Sequence, residues 1–362
     1  MMPGSPRILV IKLRYLGDVL LTTPLFEALR AHFPDAFIAA VVNQGTEDML
    51  TDNPAVNRIF TVERDAGFFP DLFKQLRLLR AIRKCKFDIV LELTNNDRAA
   101  VLAYASGAKK RWCYKKKKKN FLQSLLLTDT IDIKGKLHIL EQHLEMAKAL
   151  KCPISGKKPV LFWSPRDQAS CEKILKDNGI SCGTSCVILH PSSNAPHKVW
   201  TVEGYAALCD YLRDKWMIRT ILICGRDEEE LRQNRAICAL AESRPLNLGG
   251  QLSLKQTAVL LSKAGLFIGI DSGPMHMATA VNTPVAAIFG PSRAWRWGPW
   301  GEGHLIIQKN WPCVPCGKKG CDGSVQSRCL KELSINEVIA VMEPKLKSVL
   351  QRSNAGTGEK GV

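Results

Sequence analysis

The sequence predicts an α/β protein built from two doubly wound domains in series, and three observations predict it. Short β-branched apolar runs alternate with stretches of helical periodicity, the pattern of βαβ units wrapped around a parallel sheet. That alternation runs through once and begins again near residue 185. The 362 residues are too many for one ordinary domain and enough for two, each with its own core.

The elements follow in order. RILVIKL at 7–13 is a buried parallel strand. A helix opens at Gly17-Asp18, carries Val19, Phe26 and Phe33 on one stripe with Leu29 beside it, and closes at Pro34. AFIAAVV at 36–42 is a strand, followed by a helix from about Thr46, the strand RIFTV, a helix over 71–84 and the strand FDIVLEL at 87–93. Residues 151–183, punctuated by Pro153, Gly156, Pro159 and Pro165, read as a linker plus one helix. The second cycle has strands at CVILHP, TILICG, LFIGID and PVAAIFG, with helices over 201–216, 227–241 and 273–282. An amphipathic helix over 333–350 and a disordered tail, SNAGTGEKGV, end the chain. The expected division is 1–165, 166–340 and a terminal 341–362. Ligands in such sheets bind beyond the carboxyl ends of the strands, which two such domains would turn towards one another across a cleft.

Composition narrows the class. Hydrophobic residues at 46% and charged residues at 23% describe a globular chain, and no apolar run reaches bilayer length. No signal-peptide pattern precedes the first strand, so a cytoplasmic protein is expected, with most of its thirteen cysteines reduced. The net charge of +17 is unevenly placed: eight basic residues and no acid lie in KKRWCYKKKKK at 109–119. A solvated loop is the plain reading of that run, and single-stranded nucleic acid is an alternative because Trp112 and Tyr114 interleave with the cations.

Four strand-end motifs can carry chemistry. Asp18 is either a helix-dipole acid or a general base at a strand terminus. HPSSNAPHKVW at 190–200 is a turn that also offers the hydroxyls of Ser192 and Ser193 and the cation of Lys198 to a phosphate. CGRDEEELR at 224–232 puts acids in a first helical turn, where one of them can instead hold ribose hydroxyls. IGIDSGPMHMATA places Asp271, Ser272 and Gly273 at a strand–helix junction, where unpaired N–H groups and the dipole suit a diphosphate, with His276 one turn on. The usual dinucleotide and P-loop glycine motifs are absent after the first strand.

LGDVLLTTPLFEALRAHFP and DSGPMHMATAVNTPVAAIFGPS resemble the two signature blocks of the family 9 glycosyltransferases, the ADP-heptose:lipopolysaccharide heptosyltransferases, and HPSSNAPHKVW is similar to that family's middle block. The likeness runs from about residue 7 to 341, and GDVLLTTP and PCGKKGC look most like the heptosyltransferase III type. The resemblance implies a GT-B fold, an inverting reaction without a metal, and ADP-heptose as donor. Asp18 then matches the general base. Lys198, Ser192 and Ser193 match contacts to the leaving diphosphate, Glu228 the acid on the ribose, and Asp271, Ser272, Gly273 and His276 the diphosphate loop. The implied acceptor is the lipopolysaccharide inner core. Lys115, Lys116, Lys117, Lys118 and Lys119 suit such an anionic acceptor, and an anionic inner-membrane surface, better than they suit nucleic acid. A monomer is expected. The alternatives are a related transferase using another nucleotide sugar, or a protein that binds a nucleotide sugar or nucleic acid without turnover. Cys313, Cys316, Cys321 and Cys329 begin with zinc-like C-x2-C spacing and otherwise read as a reduced, cysteine-rich loop.

Overall fold

The apolar runs of the first half become strands of one sheet: β1 (Arg7–Lys12), β2 (Phe37–Asn43), β3 (Arg58–Val62) and β4 (Ile89–Glu92), joined by β5 (Lys110–Tyr114) and β6 (Asp129–Ile131). Those of the second half become β7 (Cys186–His190), β8 (Arg219–Leu222), β10 (Leu266–Ile270) and β11 (Val285–Phe289), with β9 (Leu246–Asn247) and β12 (Leu305–Gln308) beside them. This computed structural model describes residues 5–63, 72–115, 121–180 and 186–355, and divides the chain into the units Met1–Phe162 and Trp163–Val362.

The first sheet is ordered β3-β2-β1-β4-β5-β6 and the second β12-β11-β10-β7-β8-β9, with parallel pairing throughout. Counted within its own unit, each sheet reads 3-2-1-4-5-6, the doubly wound Rossmann order. The order reverses between β1 and β4 in one unit and between β7 and β10 in the other. A ligand crevice in this topology opens at those reversals, past the carboxyl ends of the strands. The central strands are apolar on both faces because helices cover both: Ile8, Leu9, Val10 and Ile11 are buried, as are Val187, Ile188 and Leu189. Each unit has its own core, one built around Ile11, Val41 and Val90, the other around Leu189, Tyr205 and Ile268.

The structure departs from the sequence reading at four places. The helix expected over 17–34 is two, Leu16–Leu20 and Thr23–His32. Pro24 lacks the N–H that would continue the first helix, and the hydroxyls of Thr22 and Thr23 donate to the carbonyls of Val19 (2.6 Å) and Leu20 (2.8 Å) at the break. The helix expected from Thr46 is a single turn, Glu47–Met49. The run KKRWCYKKKKK is not one loop, because its first half is β5, an inner strand of the sheet. The last helix, Ile335–Ala355, continues through residue 341, so the expected boundary falls inside one element, and residues 356–362 lie outside the described ones. The 151–183 segment does hold one helix, Pro165–Asp177, started by a capping box of Ser164 and Asp167. Among the described residues, no helix is long and apolar enough to cross a membrane.

Candidate active site

In the first unit, the reversal between β1 and β4 gathers charge. Asp18 sits in the first turn of the helix Leu16–Leu20, directly after β1. Its Oδ1 lies 3.4 Å from Nζ of Lys12, the last residue of β1, and the two side chains are 16% and 5% exposed. Burial holds the Lys12 ammonium below its ordinary value, and the Asp18 carboxylate beside it opposes that shift. Glu92 ends β4 and is fully buried. Its Oε1 accepts from the backbone N–H groups of Thr94 and Asn95, each at 2.7 Å. Burial nevertheless raises its carboxyl to about 7, against the pull of those N–H groups and of Lys12. The Thr94 hydroxyl accepts from Leu13 N–H at 2.7 Å, which stitches the end of β4 to the end of β1.

In the second unit, the reversal lies between β7 and β10. Gly269 of β10 faces His190 of β7, and a side chain at Gly269 would press on the His190 carbonyl 2.9 Å away and on the Phe267 ring. Lys198 ends the short turn Pro196–Lys198, and its Nζ lies 2.7 Å from Oδ2 of Asp271, the residue following β10. Ser272 caps the helix Gly273–Ala280 in an extended conformation without a side-chain bond to that helix. Its hydroxyl pairs instead with His190 Nδ1 at 3.2 Å. Burial pushes the His190 ring down to about 4, so it is neutral at physiological pH. The first N–H groups of the helix are therefore left without a side-chain cap, and they carry the positive end of its dipole. The Ser192 hydroxyl is buried and has no hydrogen-bond partner. A buried hydroxyl in that state costs about 1–3 kcal/mol, which a bound acceptor would relieve.

The predicted residues thus fall into groups. Lys198 and Asp271 pair at one strand reversal, where Ser272 pairs with His190 at the end of β7 and buried Ser192 follows two residues later in the chain, with Gly273 and buried His276 on the helix that Ser272 starts. Ser193 accepts from Ala195 N–H at 3.1 Å and shapes the turn. Glu228 opens the helix after β8, 79% exposed, and pairs with Arg235 on that same helix. Lys115 is exposed and lies 3.8 Å from Asp132, while Lys116, Lys117, Lys118 and Lys119 lie outside the described residues.

Among the described residues, no group of three or more His, Cys, Asp or Glu side chains is placed to hold a metal. Cys313, Cys316, Cys321 and Cys329 are free thiols, and the first three lie near enough to Cys329 to add to the burial that raises its thiol. Their loop folds against the second sheet's ligand end, where Gly317 N–H donates to the Pro291 carbonyl and Lys319 adds to the field that lowers His197. Lys12, Glu92 and His190 escaped the sequence reading as functional residues. The signal was present for two of them: a charge well inside an apolar strand run, as Lys12 in RILVIKL and Glu92 in FDIVLEL, is one that burial forces to find a partner.

The reversal of the second sheet, with its cation–carboxylate pair and uncapped helix N-terminus, has the chemistry to take an anion, and two Rossmann-ordered sheets in one chain are the architecture of the GT-B fold. The model of glycosyltransferase family 9 (heptosyltransferase) matches residues 75–324, and the chain belongs to that family of transferases. It is 28% identical to lipopolysaccharide heptosyltransferase 3 of Escherichia coli K12 over 300 residues, covering 82% of this chain and 85% of that protein. It is 24% identical over 298 residues to the lipopolysaccharide core heptosyltransferase OpsX of Haemophilus influenzae, covering 82% and 83%. Two solved structures share its fold. A family 9 glycosyltransferase from Veillonella parvula superposes with a TM-score of 0.82 at 23% identity, covering 96% of this chain and 99% of that one. The E. coli heptosyltransferase WaaC with ADP gives 0.73 at 20% identity, covering 94% and 99%.

Proposed function

We propose that the chain transfers heptose from ADP-heptose to the lipopolysaccharide inner core with inversion. Family membership supports the reaction class, and the names of its relatives support the sugar and the acceptor. The acceptor hydroxyl attacks the anomeric carbon, its proton passes to Asp18, and the bond to the diphosphate breaks. Charge grows on the diphosphate as that bond lengthens, and the groups that meet it are Lys198 and the free N–H groups of the helix Gly273–Ala280. The Lys198–Asp271 pair keeps the cation in place before the donor arrives. Ser192 and Ser193 supply hydroxyls to the diphosphate and Glu228 takes the ribose. The first unit, at 1–165 in the sequence division, serves the acceptor, and the second, at 166–340, serves the donor. The scheme calls for no metal, because fixed cations and dipoles meet the charge.

The single observation that carries the donor site is the Lys198–Asp271 pair at an uncapped helix N-terminus, with the buried, unpartnered Ser192 hydroxyl just past the end of β7. The acceptor, membrane-bound and anionic, is met by Lys115, Lys116, Lys117, Lys118 and Lys119, and the enzyme works as a monomer in the cytoplasm at the inner-membrane surface. The test is product formation from ADP-heptose beside ADP-glucose and a UDP-sugar, with ADP affinity measured by calorimetry. Turnover of ADP-heptose alone, with ADP binding weakened roughly tenfold or more in Lys198→Ala, is expected. Preference for another sugar nucleotide would replace the donor, and ADP binding unchanged by Lys198→Ala would remove this site.

A further inference from the structure

The transfer scheme leaves a charged network in the first unit unused. Lys12 is buried at the end of β1, and its Nζ has two neighbours: Asp18 Oδ1 at 3.4 Å and the Leu93 carbonyl, to which it donates at 3.4 Å. Leu93 is held in turn by the residues on either side of it. Glu92 folds the chain back by accepting from Thr94 and Asn95 N–H, the Thr94 hydroxyl ties that turn to Leu13, and Asn95 adopts a left-handed conformation with φ of 61°. The charged groups that bear on Lys12 are Asp18, Arg14 and Glu92.

We infer that Lys12 is a positioning residue for the base, holding the Asp18 carboxylate in one orientation and supplying the counter-charge against which it works. The inference rests on the reading of Asp18 as the base. A lysine kept only for the fold has an apolar substitute that packs as well and avoids desolvating an ammonium. This one instead aims its ammonium at the more exposed carboxylate, the one able to reach a ligand. Burial has already fixed the long side chain, so orienting Asp18 costs little further entropy. In the reaction the acceptor oxygen gives its proton to an Asp18 oxygen as its electron pair goes to the anomeric carbon, while the diphosphate leaves with the electrons of the broken bond. Lys12 neither gives nor takes a proton.

The experiment compares Lys12→Met, Lys12→Arg, Asp18→Asn and the Lys12→Met/Asp18→Asn pair by kcat, donor KM, ADP affinity and far-UV spectrum. Lys12→Met is expected to lower kcat about tenfold to a hundredfold with donor KM and ADP affinity unchanged, as fits a group acting through the base. Lys12→Arg, which keeps the charge, regains most of that loss. The double variant is no slower than Asp18→Asn alone, because a positioner has nothing left to position. A folded Lys12→Met with wild-type kcat overturns the inference, as does a double variant slower than Asp18→Asn by the full Lys12→Met factor. If Lys12→Met does not fold, Lys12→Gln takes its place: it keeps a donor for the Leu93 carbonyl, removes the charge and is expected to lose kcat alike. Wild-type turnover in Asp18→Asn overturns the base itself, a result independent of the lysine variants.

Discussion

The substitution Glu92→Gln isolates the cost of a carboxyl held inside the first unit. Burial lifts its value in the folded chain from 4.5 to about 7, despite the N–H groups of Asn95 and Thr94 and the charge of Lys12. The folded chain therefore binds this proton more tightly than the unfolded chain does. The contribution to stability is fully present below about 4.5 and is lost as pH rises towards about 7. Roughly two and a half pH units at about 1.4 kcal/mol each give about 3 kcal/mol across that window. An amide side chain cannot ionise, so the variant lacks this slope. It also leaves one amide N–H facing backbone donors, which lowers its stability by about 1–3 kcal/mol at every pH. Urea midpoints of both proteins, followed by circular dichroism from below to above the window, measure the difference. The wild type should lose about 3 kcal/mol relative to the variant as pH rises. Parallel profiles would show that Glu92 does not titrate in the window, and the reasoning from its burial would fail.

Three further outcomes are expected. Ser192→Ala should leave the ligand-free protein as stable or slightly more so, because an orphaned hydroxyl is removed, yet weaken ADP binding several-fold by calorimetry; tighter or equal binding would take Ser192 out of the donor site. Gly204→Ala should lower stability by about 1–3 kcal/mol, read as a lower Tm, since its Cβ would press into the buried Trp200 ring, which is anchored by donation to the Leu333 carbonyl; an unchanged Tm would show that the ring can move. Neutralising Lys115, Lys116, Lys117, Lys118 and Lys119 should raise the acceptor KM and flatten its salt dependence without touching the donor KM, since a basic residue near an anionic surface is worth about 1 kcal/mol; equal salt slopes would return the run to an idle role.

Strands buried on both faces were the most legible part of the fold. Their β-branched runs have no polar face to blur them, and β1, β2, β7, β10 and β11 stand where those runs lie. β5 was hidden because Lys110 and Arg111 look like loop residues. In the sheet, Arg111 lays its stem along the surface and donates to the Leu126 carbonyl at 2.6 Å, while Tyr114 turns inward to His143 at 2.7 Å. The two residues of β9 are too few to show any period. At the site, Lys198, Asp271 and Ser272 could be found because a strand, a loop and a helix start follow one another within a few residues. Lys12 and Glu92 showed in the sequence only as charges inside apolar runs; what brings the two strand ends together was not legible, since the Leu93 carbonyl that accepts from Lys12 lies 81 residues away.

The two cores draw on separate stretches of chain, one from residues between Leu9 and Leu127, the other from residues between Val187 and Leu346. No residue of either cluster belongs to the other. The halves are thus free to drift at different rates. On the proposed division of labour, a change that reshapes the donor site need not be compensated around Lys12 and Asp18, and a change of acceptor need not disturb Lys198. An enzyme built this way can acquire a new sugar to give or a new sugar to extend one at a time, each by mutation within a single half.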